Sequence, residues 1–214
     1  GMTLKHNLIL NSNFMFEAKK FESIRALTGI SEKTMTEHYK LYEGYVKKAN
    51  EILEKLKTVD LASANQTYSD LRELKVELSF ALGGIKNHEI YFGHLGGSGE
   101  KPAGWLLEKI EKTFGSFDAW KADMKATGLA ARGWVWLAYD WQTGILFNFL
   151  GDSQNAYPIW HATPLVALDT YEHAYWMDYG TDRTAYIDAF FANLNWKIPE
   201  EVVKNTAMDK TQTS

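Results

Sequence analysis

The run Asp169-Thr170-Tyr171-Glu172-His173-Ala174-Tyr175 follows the apolar stretch Pro164 to Leu168. It places a carboxylate at the end of an expected buried strand and an imidazole four residues later, near the start of a helix. Residues four apart on a helix share a face, so both side chains can reach one metal ion. The same spacing also suits an N-cap followed by an unrelated surface histidine. What separates the two readings lies upstream, where His38 and His88 sit in segments of helical periodicity. The chain has no cysteine, which excludes thiolate metal sites and disulfides and leaves imidazole and carboxylate as ligands.

Two long helices must carry the upstream histidines. Ser31 with Glu32 to Thr34 marks a helix start, and His38, Tyr42, Tyr45 and Ala49 recur along one face of a helix expected to reach Thr58. Lys40, Glu43, Lys47, Lys48 and Glu51 occupy the opposite, solvated face. A second helix is expected from Thr67 to Phe92, with Leu71, Leu74, Leu78 and Leu82 on one stripe, and the two pair as an antiparallel hairpin. Gly83 and Gly84 lie inside this second helix. Adjacent glycines cost helix stability, so a neighbour is expected to need the room.

The glycine-rich stretch from Gly93 to Gly104 reads as a loop and as the boundary between an N-terminal α-hairpin domain, 1–95, and a C-terminal α/β domain, 104–214. An irregular arm, 1–20, and a short helix, Phe21 to Leu27, are expected ahead of the hairpin. Beyond the boundary, Trp105 to Phe114 and Phe117 to Ala131 read as helices. Gly133 to Tyr139 and Ile145 to Phe149 read as a β-hairpin, a third strand ends at Leu168, and Arg183 to Leu194 returns to helix. The expected class is α+β: a long-helix hairpin followed by a three-stranded antiparallel sheet with flanking helices.

A net charge of -4 argues against nucleic acid or an anionic membrane as the main partner, and any anionic substrate must be attracted by a local field. No apolar stretch is long enough for a membrane span, and Leu8-Ile9-Leu10 is too short for a signal-peptide core, so a cytoplasmic protein is expected. His6, His94 and His161 do not fit the ligand pattern and read as surface or satisfied core histidines. Tyr91, Phe92, Trp134, Trp136 and Tyr171 read as packing groups.

Several of these words together resemble the iron/manganese superoxide dismutase family: His38-Tyr39 with Tyr45-Val46, Asn87-His88 with Tyr91-Phe92, Gly133-Trp134-Val135-Trp136-Leu137, and Asp169 to Tyr175. Arg183, Tyr186, Phe190 and Asn195-Trp196 extend the resemblance, which spans residues 31 to 197. It implies that His38, His88, Asp169 and His173 hold one manganese or iron ion per subunit, with solvent as a fifth ligand. The implied reaction is disproportionation of superoxide to dioxygen and hydrogen peroxide. Catalytic support is implied for Tyr45, at the substrate entrance, and for Gln154, whose amide bonds the metal-bound solvent. Without the family, Gln154 reads as a loop residue capping a turn after Gly151-Asp152. Gln154 on the sheet side together with Gly84 matches manganese-type members and slightly favours manganese.

The resemblance also implies a homodimer. Glu172 would reach across a two-fold axis to the partner subunit's His173, with Tyr175 at the same contact. Arg183 would steer superoxide. Three features depart from the family. His38 to Tyr45 spans seven steps where eight are usual, and Tyr42 and Glu43 stand near the place of a usual histidine pair. At about 100° per residue seven steps return to one helix face, so a local bulge in the common family helix is expected to be absent here. Tyr171 replaces a common tryptophan, and Asp182 adds a negative charge beside Arg183. The alternative reading is a metal-binding dimeric member with altered redox activity or no dismutase turnover.

Overall fold

The computed structural model describes residues 14–155 and 159–211. The first part of the expected arm, 1–13, therefore lies outside the described residues. Residues 14–20 carry no regular element, and a 3-10 turn, Glu22–Ile24, stands where a short helix was expected. Gly29, at φ +75°, ends this entry segment in a backbone region that side chains other than glycine's rarely adopt.

Helix α1, Glu32–Leu56, begins where Ser31 accepts a hydrogen bond from the Thr34 N–H. It is one unbroken α-helix that buries His38, Tyr42, Val46, Ala49, Ile52 and Leu56 on a single stripe. Helix α2, Asp70–Gly93, starts three residues later than the periodicity suggests. The reason is local: the Asn65 side chain accepts the N–H groups of Thr67 and Tyr68, and Ser69 then caps the helix through the Arg72 N–H. The leucine stripe of its first half is half-buried, and full burial begins at Ala81, Gly84, Ile85 and His88.

Helices α3, Gly104–Phe114, and α4, Phe117–Ala130, follow, the second capped by Ser116. Strands β1, Trp134–Asp140, β2, Leu146–Gly151, and β3, Ala162–Asp169, form an antiparallel sheet in the order β2-β1-β3. Asp140 builds the hairpin turn by accepting from Gln142 and Thr143. A register shift between Leu137 and Ala138 accommodates Pro164 of β3, which has no N–H to give the ladder. A 3-10 turn, Glu172–Ala174, and helices α5, Trp176–Tyr179, α6, Arg183–Ala192, and α7, Lys197–Thr206, complete the fold. The architecture is thus the α+β arrangement expected. No helix among the described residues is long and apolar enough to cross a membrane.

The loop after α2 is bound to the second half of the chain. Leu95 bridges to Leu194, and the Ala103 N–H donates to Glu200. Buried residues from the hairpin and from the sheet half form one continuous apolar core. The adjacent glycines of α2 show why the room is needed. A Cβ on Gly83 would stand 2.0 Å from the Gln154 carbonyl oxygen, and one on Gly84 would meet the Tyr45 ring at 2.6 Å.

These positions separate two kinds of glycine. Gly83→Ala is expected to destabilise the protein by about 1–3 kcal/mol because backbone must move. Gly44, exposed in mid-helix, has no atom within 4 Å of its would-be Cβ. Gly44→Ala is expected to stabilise by about 0.5–1 kcal/mol through the reduced freedom of the unfolded chain. Urea denaturation of the two variants beside the wild type checks the opposite signs.

Candidate metal centre

Four side chains converge where α1, α2 and the end of β3 meet. His38 and His88 come from the two long helices, Asp169 is the last residue of β3, and His173 lies in the 3-10 turn that follows. One ligand atom from each falls within 4.8 Å of every other. The Asp169 Oδ2 atom lies 3.0 Å from His38 Nε2, 2.9 Å from His173 Nε2 and 3.6 Å from His88 Nε2. Asp169 and His173 therefore meet across a strand end and a 3-10 turn, not along one helix face as their spacing alone suggests.

The remaining atoms of these groups show how each ligand atom is aimed. The Tyr171 N–H donates to Asp169 Oδ1 at 2.9 Å, leaving Oδ2 for the centre. The Tyr186 hydroxyl donates to the Asp169 carbonyl at 2.8 Å and lies 3.0 Å from the Tyr91 hydroxyl. His88 Nδ1 lies 2.6 Å from the Gly84 carbonyl, which can only accept. That bond places the proton on Nδ1 and leaves Nε2 as a bare lone pair facing the centre. His88 Nε2 is buried and has no hydrogen-bond partner among the described residues. An orphaned lone pair next to two imidazoles and a buried carboxylate fits a cation, and three nitrogens with one oxygen suit first-row iron or manganese.

The electrostatics agree with this geometry. Burial pushes the Asp169 carboxyl up, but attraction and hydrogen bonds from His173 and His38 outweigh it and hold the group well below the usual carboxylate range. His88 is pushed down to about 3, chiefly by burial and then by the neighbouring His38. Burial likewise lowers His38 despite its contact with Asp169. His173 is held above the usual imidazole value, because Asp169 overcomes the smaller burial of a side chain that keeps 29% of its surface exposed.

Aromatic rings close the surroundings. Phe92 lies 5.0 Å and Tyr91 5.2 Å from the His38 ring, and Trp134 meets His88 edge-on at 5.2 Å. Tyr171 stacks on His173 at 5.2 Å and 15°. Tyr45 lies 5.5 Å from His88, and its hydroxyl accepts from Gln154 Nε2 at 3.3 Å. Gln154 Oε1 in turn accepts from Trp134 Nε1 at 3.0 Å, and the buried Gln154 side chain is thereby oriented. Sequence reading treats Trp134 as packing; the structure adds a polar role that no local spacing announces.

Other residues singled out by sequence do not join the four-ligand cluster. Glu172 is exposed beside His173. Tyr175 is buried within its own chain, stacked on Tyr186 at 5.0 Å, and its hydroxyl accepts from Arg183 Nε. Arg183 also donates to the carbonyls of Gly128 and Ala131 near the end of α4, at 3.3 and 2.6 Å. Asp182 caps α6 through the Ala185 N–H. Tyr42 is buried with its hydroxyl donating to Glu89 and accepting from the Lys19 N–H, while Glu43 is exposed.

A buried three-histidine, one-aspartate centre between a helical hairpin and a three-stranded sheet defines a mononuclear metal protein. Residues 23–96 match the alpha-hairpin domain of iron/manganese superoxide dismutases, and residues 102–202 match the C-terminal domain of the same family. A protein of Aquifex aeolicus named superoxide dismutase [Fe] is 46% identical over 82% of this chain and 84% of its own length. One of Cupriavidus metallidurans, also named for iron, is 41% identical over 80% of this chain and 87% of its own. A Halobacterium salinarum protein named superoxide dismutase [Mn] 1 is 33% identical over 83% and 88%. The chain belongs to the iron/manganese superoxide dismutase family.

His88→Ala deletes a buried ligand lone pair that has no hydrogen-bond partner among the described residues. Elemental analysis of the purified variant is expected to show at least a tenfold loss of bound iron and manganese at limiting metal. Retention of full occupancy would show that the centre does not use His88.

Proposed function

We propose that the chain is a superoxide dismutase working at one iron or manganese ion held by His38, His88, Asp169 and His173. The observation that carries this reading is the convergence of those four ligand atoms, in a chain of this family. The chemistry such an ion supplies when bound is one-electron exchange, by which two superoxide anions and two protons become dioxygen and hydrogen peroxide. The protein must then exclude water and hold protons where the product oxygen needs them.

Tyr45 and Gln154 suit that second task. The indole of Trp134 can only donate, so Gln154 turns its carbonyl oxygen to Trp134 and its amide N–H to Tyr45. With that lone pair of its oxygen engaged, the Tyr45 hydroxyl keeps its own proton available towards the centre. Burial, reinforced by the Asp169 charge, raises the Tyr45 pKa, so the phenol holds this proton at neutral pH. Arg183, held through the Tyr175 hydroxyl and the carbonyls at the end of α4, would add a fixed positive charge that attracts the anionic substrate.

Manganese is favoured by the placement of Gln154, which enters from beyond β2 and packs its carbonyl against Gly83, with Gly84 giving Tyr45 its room. The relatives named for iron at 46% and 41% identity support the opposite choice. A homodimer completes the reading: Glu172, Trp176 and Met177 are exposed next to the partly exposed His173. There Glu172 would accept from the partner subunit's His173, and Tyr175 would back the contact from within.

Dismutation rate per bound metal, after reconstitution with each ion separately, tests the activity and the metal together. A fast rate with manganese supports the whole reading, and a fast rate only with iron overturns the metal preference alone. Full occupancy without turnover would favour the alternative, a dimeric metal-binding member with redirected chemistry. Gln154→Ala is expected to lower the rate about 10–100-fold. Sedimentation of Glu172→Ala should show a shift from dimer to monomer.

A further inference from the structure

His94 is a buried histidine outside the ligand set, and its three polar connections reach three parts of the fold. It caps the end of α2, with its N–H donating to the Ile90 carbonyl at 3.2 Å. Its carbonyl accepts from the Asn195 N–H, ahead of α7, at 2.7 Å. Its Nε2 accepts from the Ala167 N–H of β3 at 2.9 Å. β3 is an edge strand, so an N–H on its outer side has no ladder partner and needs another acceptor. Ala167 stands two residues before Asp169, and His94 six after His88.

The bond has a protonation requirement. Nε2 accepts only while it carries no proton, which places the hydrogen on Nδ1, and Nδ1 has no partner among the described residues. A protonated ring would turn a second donor against the Ala167 N–H. The rings of Tyr91, on α2, and Phe190, on α6, also face it, at 6.4 and 5.8 Å. Of these groups only Tyr91 titrates, and burial keeps its phenol far above the usual range. Burial pushes His94 down to about 3.

We propose that His94 is a positioning residue, bracing the metal-bearing end of β3 against α2 so that Asp169 and His88 keep their relative placement only while its imidazole is neutral. The consequence for metal retention rests on the reading of the four-ligand centre; the brace itself rests on the His94–Ala167 contact. Its pH dependence follows from linkage. With the brace closed, the ring stays neutral far below the ordinary imidazole value of about 6.5; once opened to water, it titrates near that value. The open state therefore binds a proton that the closed state does not. Opening becomes easier by roughly tenfold per pH unit as pH falls below about 6.5, and is insensitive to pH above it.

The test compares metal-loaded wild type with His94→Gln and His94→Leu. A glutamine oxygen can take the place of Nε2 and does not titrate; leucine fills space without accepting. Two quantities are measured between pH 7.5 and 5: release of metal to excess EDTA, and hydrogen exchange of the Ala167 amide. At pH 7.5 the Gln variant should match wild type, while the Leu variant should release metal and exchange Ala167 on the order of tenfold faster. Below pH 6.5 wild type should accelerate relative to Gln by roughly tenfold per unit. Parallel pH profiles for wild type and Gln would overturn the proposal, as would a Leu variant that matches wild type in both quantities. If Leu does not fold, the comparison of wild type with Gln still decides. Protein that takes up no iron or manganese would sink the metal-centre reading, while exchange at Ala167 would still judge the brace.

Discussion

A carboxylate removed from water survives as an anion only if positive or proton-donating groups surround it, and the structure is built around meeting that need for Asp169. Its two oxygens are divided. Oδ1 takes the Tyr171 N–H, and Oδ2 faces His38, His173 and, slightly further, His88. The surrounding imidazoles are themselves pushed towards neutrality by burial, except His173, so the cluster is short of positive charge. A cation at the focus would supply it. The hairpin, the sheet edge and the turn after β3 meet at this shared focus, within the apolar core that packs them together.

Bringing those elements together requires backbone to approach backbone, and that explains the glycine pair. Gly83 lets the Gln154 carbonyl come against α2, and Gly84 opens a slot for the Tyr45 ring between the two helices. The Gly84 carbonyl then sets the tautomer of His88. Two residues that weaken a helix in isolation thus determine where an amide, a phenol and a ligand nitrogen lie. Their cost of about 1 kcal/mol each is small beside the burial of the surrounding aromatic rings.

Direction runs through the polar contacts as well. Trp134 can only donate, which orients Gln154, which in turn occupies one lone pair of Tyr45 and leaves its proton free. On the other side Tyr91 and Tyr186 hold the Asp169 backbone, and Arg183 ties Tyr175 to the end of α4. Single-donor groups at the ends of such chains remove ambiguity that flexible hydroxyls and amides would otherwise keep.

Much of this was legible in the sequence because it is periodic or chemically narrow. The stripe from His38 to Ala49, the cap Ser31, and the alternating strands follow from local geometry, and the absence of cysteine restricts the metal donors to imidazole and carboxylate. The late start of α2 was not legible, because an Asn65 side chain competes with helical bonding there. Nor was the turn geometry that joins Asp169 to His173, the polar role of Trp134, or the seat of His94 against β3. Residue type and short-range spacing determine which groups can do chemistry and which element bears them. Only the tertiary structure decides which lone pairs are left without partners, since that depends on hydrogen bonds between residues tens of positions apart.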